Sequence, residues 1–271
     1  APSIVPHQSL SLFVMLHRAS VWPDPVAKAA YFNQTNPIYL LSPPRAQAAS
    51  PLPLLPLRPR GTGHREQDVP GLLDALSSLR ASVIARFVVL GGTLKAEDKT
   101  HSRALNGRDC IAQKKQCLGD NQDTNYISSL PTSLEPDEAY TVIGSNCVAN
   151  GKCTYSNIGL YEARFKATNV SVDFRKFAGS ASFYSPTLPA DLAARLFAYT
   201  IARDCTPYGP FCIELPVSAA PHDWFFIYRT YLEPATKTGP ALDELILPST
   251  LKFSGARPRA ALSRSSPALE R

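Results

Sequence analysis

The residues of this 271-residue chain best placed to do chemistry are six cysteines in three close pairs, Cys110/Cys117, Cys147/Cys153 and Cys205/Cys212. Zinc knuckles hold their cysteines two to four residues apart. These spacings are wider, and the five histidines include no pair at ligand spacing. Each pair closes a loop of five or six residues, so the simplest reading is three local disulfides and hence an oxidising compartment. Two sequons, Asn33-Gln34-Thr35 and Asn169-Val170-Ser171, mark Asn33 and Asn169 as glycan acceptors. Together these features predict a secreted or lumenal protein.

Catalytic patterns are sparse. A serine hydrolase wants G-x-S-x-G between strand and helix, and the serines after Gly144 and Gly179 lack that frame. His222-Asp223, just before an aromatic run, is the one place for a general base, and it carries the alternative reading of a hydrolase-type enzyme. Adjacent carboxylates such as Asp137/Glu138 would point to opposite faces of a strand and read as turns. Asn121, Asp123 and Asn125 offer oxygens at alternate positions, a candidate calcium loop, although Tyr126 stands where that loop wants glycine. Nothing in these motifs calls for a cofactor.

Aromatic and amide side chains give a third option. Tyr155, Asn157 and Tyr161 recur with strand spacing on one face, where tyrosine can stack on a sugar or pack against a protein. This face is the preferred site, and it makes a non-enzymatic binding or assembly module the leading functional reading.

The element that must position it is Ala139–Tyr161, read as two strands joined at Ala149-Asn150-Gly151, with Gly151 supplying positive φ. A hairpin in that register bridges Cys147 to Cys153 and sets Val142 against Ile158 and Tyr140 against Leu160. Thr141, Tyr155 and Asn157 then share the wet face. Further strands are expected at Val83–Leu90 (apolar and β-branched, ended by Gly91-Gly92), Tyr126–Ser128, Val170–Phe174, Ala181–Tyr184, Cys212–Leu215 and Trp224–Leu232. Helices are expected at Asp24–Phe32, from Asp68 along Leu72, Leu73, Leu76 and Leu79, and at Ala190–Ala202. Short strands between turn signals predict a mainly β fold, a β-sandwich or jelly-roll with one or two short helices.

The chain divides into a Pro-rich arm at 1–80, a disulfide-stabilised sandwich at 81–254 and a basic tail at 255–271. Residues 81–254 carry 17 basic and 17 acidic side chains, so the net +6 lies on the two flanks. A nucleic-acid reader puts its basic groups on the folded surface, so no nucleic-acid partner is expected. The apolar run Leu10–Leu16 is too short to span a bilayer.

Four phrases carry a family likeness: Gly119–Tyr126 (GDNQDTNY), Pro136–Tyr140 (PDEAY), Tyr228–Pro234 (YRTYLEP) and Thr238-Gly239-Pro240 through Leu247-Pro248. Over roughly residues 115–252 the chain resembles an uncharacterised bacterial family of β-sandwich proteins, a domain of unknown function. The resemblance implies a sandwich and an envelope or secreted setting, and it supplies no catalytic residues. The three cysteine pairs and the Pro-rich start depart from that family.

Overall fold

A computed structural model of the protein describes residues 24–34, 58–99, 101–102, 122–163, 168–216 and 223–255. The chain divides into two units, Ala1–Pro56 and Leu57–Arg271. In the first, helix α1 (Pro25–Gln34) begins where Asp24 accepts hydrogen bonds from the Val26 and Ala27 N–H groups, at 2.8 and 3.2 Å. The second unit holds the sandwich. It starts near Leu57, so the boundary expected at residue 80 falls inside a helix of this unit.

That helix, α2 (Leu72–Val89), is the largest correction to the sequence reading. Val83–Leu90 is not a strand but its last two turns. Leu72, Ala75, Leu79, Val83 and Phe87 form one buried stripe at helical spacing. Gly91-Gly92 closes the helix instead of ending a strand. Gly92 N–H donates to Phe87 C=O at 2.8 Å and Gly91 N–H to Val88 C=O at 2.9 Å, with Gly91 at φ 79°. This is a Schellman cap, whose left-handed residue favours glycine.

The remaining strands form two five-stranded sheets. The first contains β1 (Thr93–Lys99), β4 (Glu138–Ser145), β7 (Leu196–Ala202), β8 (Cys212–Glu214) and β10 (Ser249–Ser254), in the order β1-β10-β4-β7-β8. The second contains β2 (His101–Ser102), β3 (Thr124–Ser128), β5 (Tyr155–Glu162), β6 (Thr168–Asp173) and β9 (Trp224–Tyr231), in the order β2-β3-β9-β5-β6. All pairings are antiparallel except β7 with β8. The fold is therefore mainly β, a sandwich as expected. Tyr140, Val142, Phe197 and Tyr199 of the first sheet meet Ile158, Leu160, Phe226 and Tyr228 of the second in one core. On the far side of the first sheet, α2 lies over Ala139, Ile143, Ala198, Leu251 and Phe253. Phe87 stacks on Phe253 there at 3.8 Å between ring centroids.

The expected hairpin is a crossing between sheets. β4 pairs with β10 and β7, and β5 with β9 and β6, so Val142 lies opposite Tyr199 and Ile158 opposite Tyr228. Val142, Ile158, Tyr140 and Leu160 still share one core because both strands turn those residues inward. Thr141 is not on a wet face. It is fully buried under the helix layer and bonds Thr200 Oγ1 at 2.9 Å. The Cys147–Cys153 disulfide forms, with Cα atoms 5.5 Å apart, and pins the crossing loop, where Gly151 has φ 74°. Cys205–Cys212 forms as well, with Cα atoms 5.6 Å apart. Cys110 and Cys117 lie outside the described residues.

Two further elements differ from expectation. Ser180–Tyr184 is a helical turn, not a strand. The helix at 190–202 stops at Ala194, and β7 takes the rest. Every residue of β7 is buried, with Phe197, Tyr199 and Ile201 facing one core and Leu196, Ala198 and Ala202 the other. A strand covered on both faces loses the apolar–polar alternation that marks strands in sequence.

Residues Arg58–Asp68 are strapped onto the sandwich by buried charges. Lys152 Nζ, in the disulfide loop, bonds Glu233 Oε1 and Glu244 Oε2, and Thr62 Oγ1 at 3.1 Å. Glu244 accepts from Thr62 and Gly63 N–H at 3.0 and 2.6 Å. Glu66, 2% exposed, accepts from Ile246 N–H at 2.7 Å and Asn150 Nδ2 at 3.1 Å. Burial alone would lower the Lys152 pKa, and its two carboxylates reverse that and hold it above the usual lysine value.

Candidate binding face on the second sheet

Strand alternation decides what the outer face of the second sheet presents. On β9, Trp224, Phe226, Tyr228 and Thr230 are buried, and Phe225, Ile227, Arg229 and Tyr231 are half-buried on the other side. The β5 register places Tyr155 beside Tyr231, Asn157 beside Arg229, Gly159 beside Ile227 and Tyr161 beside Phe225. On the other flank of β9, Tyr126 of β3 pairs with Arg229. The expected trio of Tyr155, Asn157 and Tyr161 thus does share one face, joined by four residues of β9 and one of β3.

The geometry is a layered aromatic–cation strip. The Arg229 guanidinium carbon lies 5.1 Å from the Tyr126 ring centroid and 5.0 Å from that of Tyr161. Tyr155 meets Tyr231 edge-on at 5.6 Å and Phe174 at 5.9 Å. Tyr161 packs on Phe225 at 5.7 Å. Gly159 makes room for this, because a Cβ there would stand 2.8 Å from Tyr161 Cε2. The Tyr161 ring therefore lies across the strand at the one position without a side chain. Burial pushes the Tyr155 hydroxyl above its ordinary pKa, and neighbouring Asp173 adds to the shift.

Three polar atoms of this face, Asn157 Oδ1, Tyr161 Oη and Arg229 Nε, are out of contact with solvent and have no hydrogen-bond partner among the described residues. Asn157, expected on a wet face, is only 8% exposed and Tyr161 4%, because the rings of this face pack over the sheet. Buried polar groups are mostly bonded; exceptions among the described residues include Ser128 Oγ and Trp224 Nε1 elsewhere in the sandwich, and this face gathers an acceptor, a hydroxyl and a cationic donor. Arg229 escaped the sequence reading as a site residue. The alternation of β9 places it on the same side as Tyr231.

The other candidates do not converge on a site. Asn125 is buried; its amide donates to Pro240 C=O at 2.8 Å and Thr230 Oγ1 at 3.2 Å, while its oxygen accepts from Arg60 Nη1. The oxygen offered to calcium is thus taken by a guanidinium. Asp123 is exposed, and Asn121 lies outside the described residues. His222 also lies outside them, while Asp223 is exposed, its carbonyl accepting from Ala163 N–H at 2.9 Å. Asn33 is exposed on α1, and Asn169 falls within β6. Among the described residues no helix is long and apolar enough to cross a membrane.

No family model matches the sequence, and no curated protein is significantly similar to it. Among solved structures, the crystal structure of the VPA0106 protein from Vibrio parahaemolyticus is similar at 13% identity and a TM-score of 0.31. The match covers 66% of this chain and 42% of that one, so the chain spans less than half of that protein's length. A likeness of that size carries no argument about function.

Proposed function

We propose that this chain is a non-enzymatic binding or assembly module of a secreted or lumenal setting, and that the outer face of the second sheet contacts a carbohydrate or protein partner. The observation that carries the reading is the set of unpaired polar atoms on Asn157, Tyr161 and Arg229, framed by Tyr155, Tyr126 and Tyr231. A ligand that displaces the side chains over these atoms gains hydrogen bonds that they do not make among the described residues, and the half-buried rings supply apolar contact. Two disulfides, the sequons at Asn33 and Asn169, and the resemblance to an envelope sandwich family support the setting.

The test is a glycan-array screen, with pull-down from extracellular fluid in parallel, using the wild type, Asn157→Ala and Arg229→Met. Binding that both substitutions abolish, with circular dichroism unchanged, is the expected result. A partner retained by both variants overturns the placement of the site.

A further inference from the structure

A second concavity lies away from this face, where the 58–68 strap meets the disulfide loop. It is a cleft of about 400 Å³ whose polar lining includes His64, Arg65, Asn150, Lys152 and Arg195. That volume falls within the range of small-molecule sites. Val69 and Pro70 give it an apolar wall.

The charges in it are unequal in kind. Lys152 is committed to Glu233 and Glu244, which lie behind the lining and are further capped by Thr62, Gly63 and Thr236. Glu66 turns its oxygens to Ile246 N–H and Asn150, and burial pushes its carboxyl up, toward the uncharged form. Arg65 and Arg195 have no carboxylate within ion-pair distance among the described residues. Two guanidiniums and an imidazole therefore face the cleft against one exposed acidic group, Asp68.

One of these guanidiniums is held in place. Arg195 Nη1 donates to Asn150 Oδ1 at 3.0 Å, and Asn150 Nδ2 donates to Ser145 Oγ at 2.6 Å and Glu66 Oε1 at 3.1 Å. The Arg195 carbonyl accepts Asn146 N–H at 2.8 Å. Asn150 itself sits inside the loop closed by Cys147–Cys153. A chain of hydrogen bonds thus runs from the core to a fixed guanidinium whose other N–H groups have no protein partner among the described residues. Such a fork matches the geometry of carboxylate and phosphate oxygens.

We infer that this cleft binds the oxyanion group of a small molecule, a phosphate or a carboxylate, through Arg195 and Arg65, with Asn150 as the positioning residue. The experiment is an amide chemical-shift titration of the disulfide-intact protein with inorganic phosphate and with sodium acetate, with sodium chloride at matched ionic strength as reference. The expected result is a saturable shift of the Arg65, Asn150, Lys152 and Arg195 amides with at least one of the two oxyanions. Saturation by phosphate alone assigns a phosphate-bearing ligand, and saturation by acetate alone a carboxylate-bearing one. Arg195→Gln should weaken the response about tenfold, the value of one charge-assisted hydrogen bond. Arg65→Gln, at an exposed residue with no side-chain bond among the described residues, should weaken it without touching the fold, and Lys95→Gln on β1 should leave it unchanged. Shifts that match the chloride reference, or that survive Arg65→Gln and Arg195→Gln intact, overturn the inference.

Discussion

Replacing Lys152 by methionine removes the one cation between two buried carboxylates. The side chains are 5% exposed for Lys152, 2% for Glu233 and 8% for Glu244, so both pairs belong with buried ion pairs and not with surface ones. Removing one partner of a buried pair costs about 3–5 kcal/mol, because the remaining charge is left uncompensated. For a folded unit the size of Leu57–Arg271, that is a fall in Tm of roughly 6–20 °C. The pH dependence gives a second reading. Burial acts to raise the Glu244 pKa, but the Lys152 ammonium and the Thr62 and Gly63 N–H groups outweigh it and hold the carboxyl below its ordinary 4.5. A lowered folded-state value gives stability that is full above 4.5 and lost as the pH falls through the folded value. Lys152 is the strongest of the groups that lower it, so its loss raises the Glu244 pKa, and the penalty of Lys152→Met should be largest near neutral pH and shrink on acidification. The assay is urea unfolding at neutral and mildly acidic pH, followed by the fluorescence of buried Trp224. Adding Glu233→Gln and Glu244→Gln to Lys152→Met should recover most of the loss, since no charge is then left unpaired. A cost below about 1 kcal/mol, the size of a surface pair, or one that is the same at both pH values, would refute the buried clasp.

Other substitutions test the fold directly. Phe87→Ala should cost about 3–5 kcal/mol in the same unfolding assay, because the ring is fully buried against Phe253 and Tyr208. Gly144→Ala should destabilise by about 1–3 kcal/mol, since its methyl would come 2.9 Å from Pro248 Cβ and 3.2 Å from Phe197. Cys147→Ala with Cys153→Ala should cost about 2 kcal/mol on the loop-entropy estimate while leaving the circular dichroism spectrum intact, because the bridge spans only six positions. A non-reducing peptide map should link 147 to 153 and 205 to 212.

What the sequence made legible follows the range of each interaction. The two described disulfides close short loops, and spacing alone was enough to pair them. β9 was readable because its faces differ, with Phe226 and Tyr228 in the core and Arg229 outside it. β7 was not, because both its faces are buried and Leu192, Leu196 and Tyr199 mimic a helical stripe. The β-branched run at Val83–Val89 likewise hid a helix whose stripe begins at Leu72. Alternation on β4 and β5 identified Tyr140, Val142, Ile158 and Leu160 as core residues, but not the second core that buries the other face of β4, nor which strand lies alongside, since a crossing and a hairpin place the same four residues inward. The clasp left no local signal, as Glu66, Lys152, Glu233 and Glu244 meet across up to 178 positions of chain. For the candidate face, the three β5 residues were foreseen, and their partners Arg229 and Tyr126 came only with the register.

The proposed binding face rests on polar atoms without a partner among the described residues, and the stability of Tyr161→Phe measures that most directly. The substitution deletes a buried hydroxyl with no partner among the described residues and keeps the ring on Phe225 and Arg229. If the hydroxyl is held for a ligand, the free variant should be as stable as the wild type or about 1 kcal/mol more stable, since desolvating an unpaired hydroxyl costs about 1–3 kcal/mol. A loss of about 1 kcal/mol or more in urea unfolding would show that the hydroxyl is bonded within the folded protein, and it would contradict the assignment of this face as a binding site.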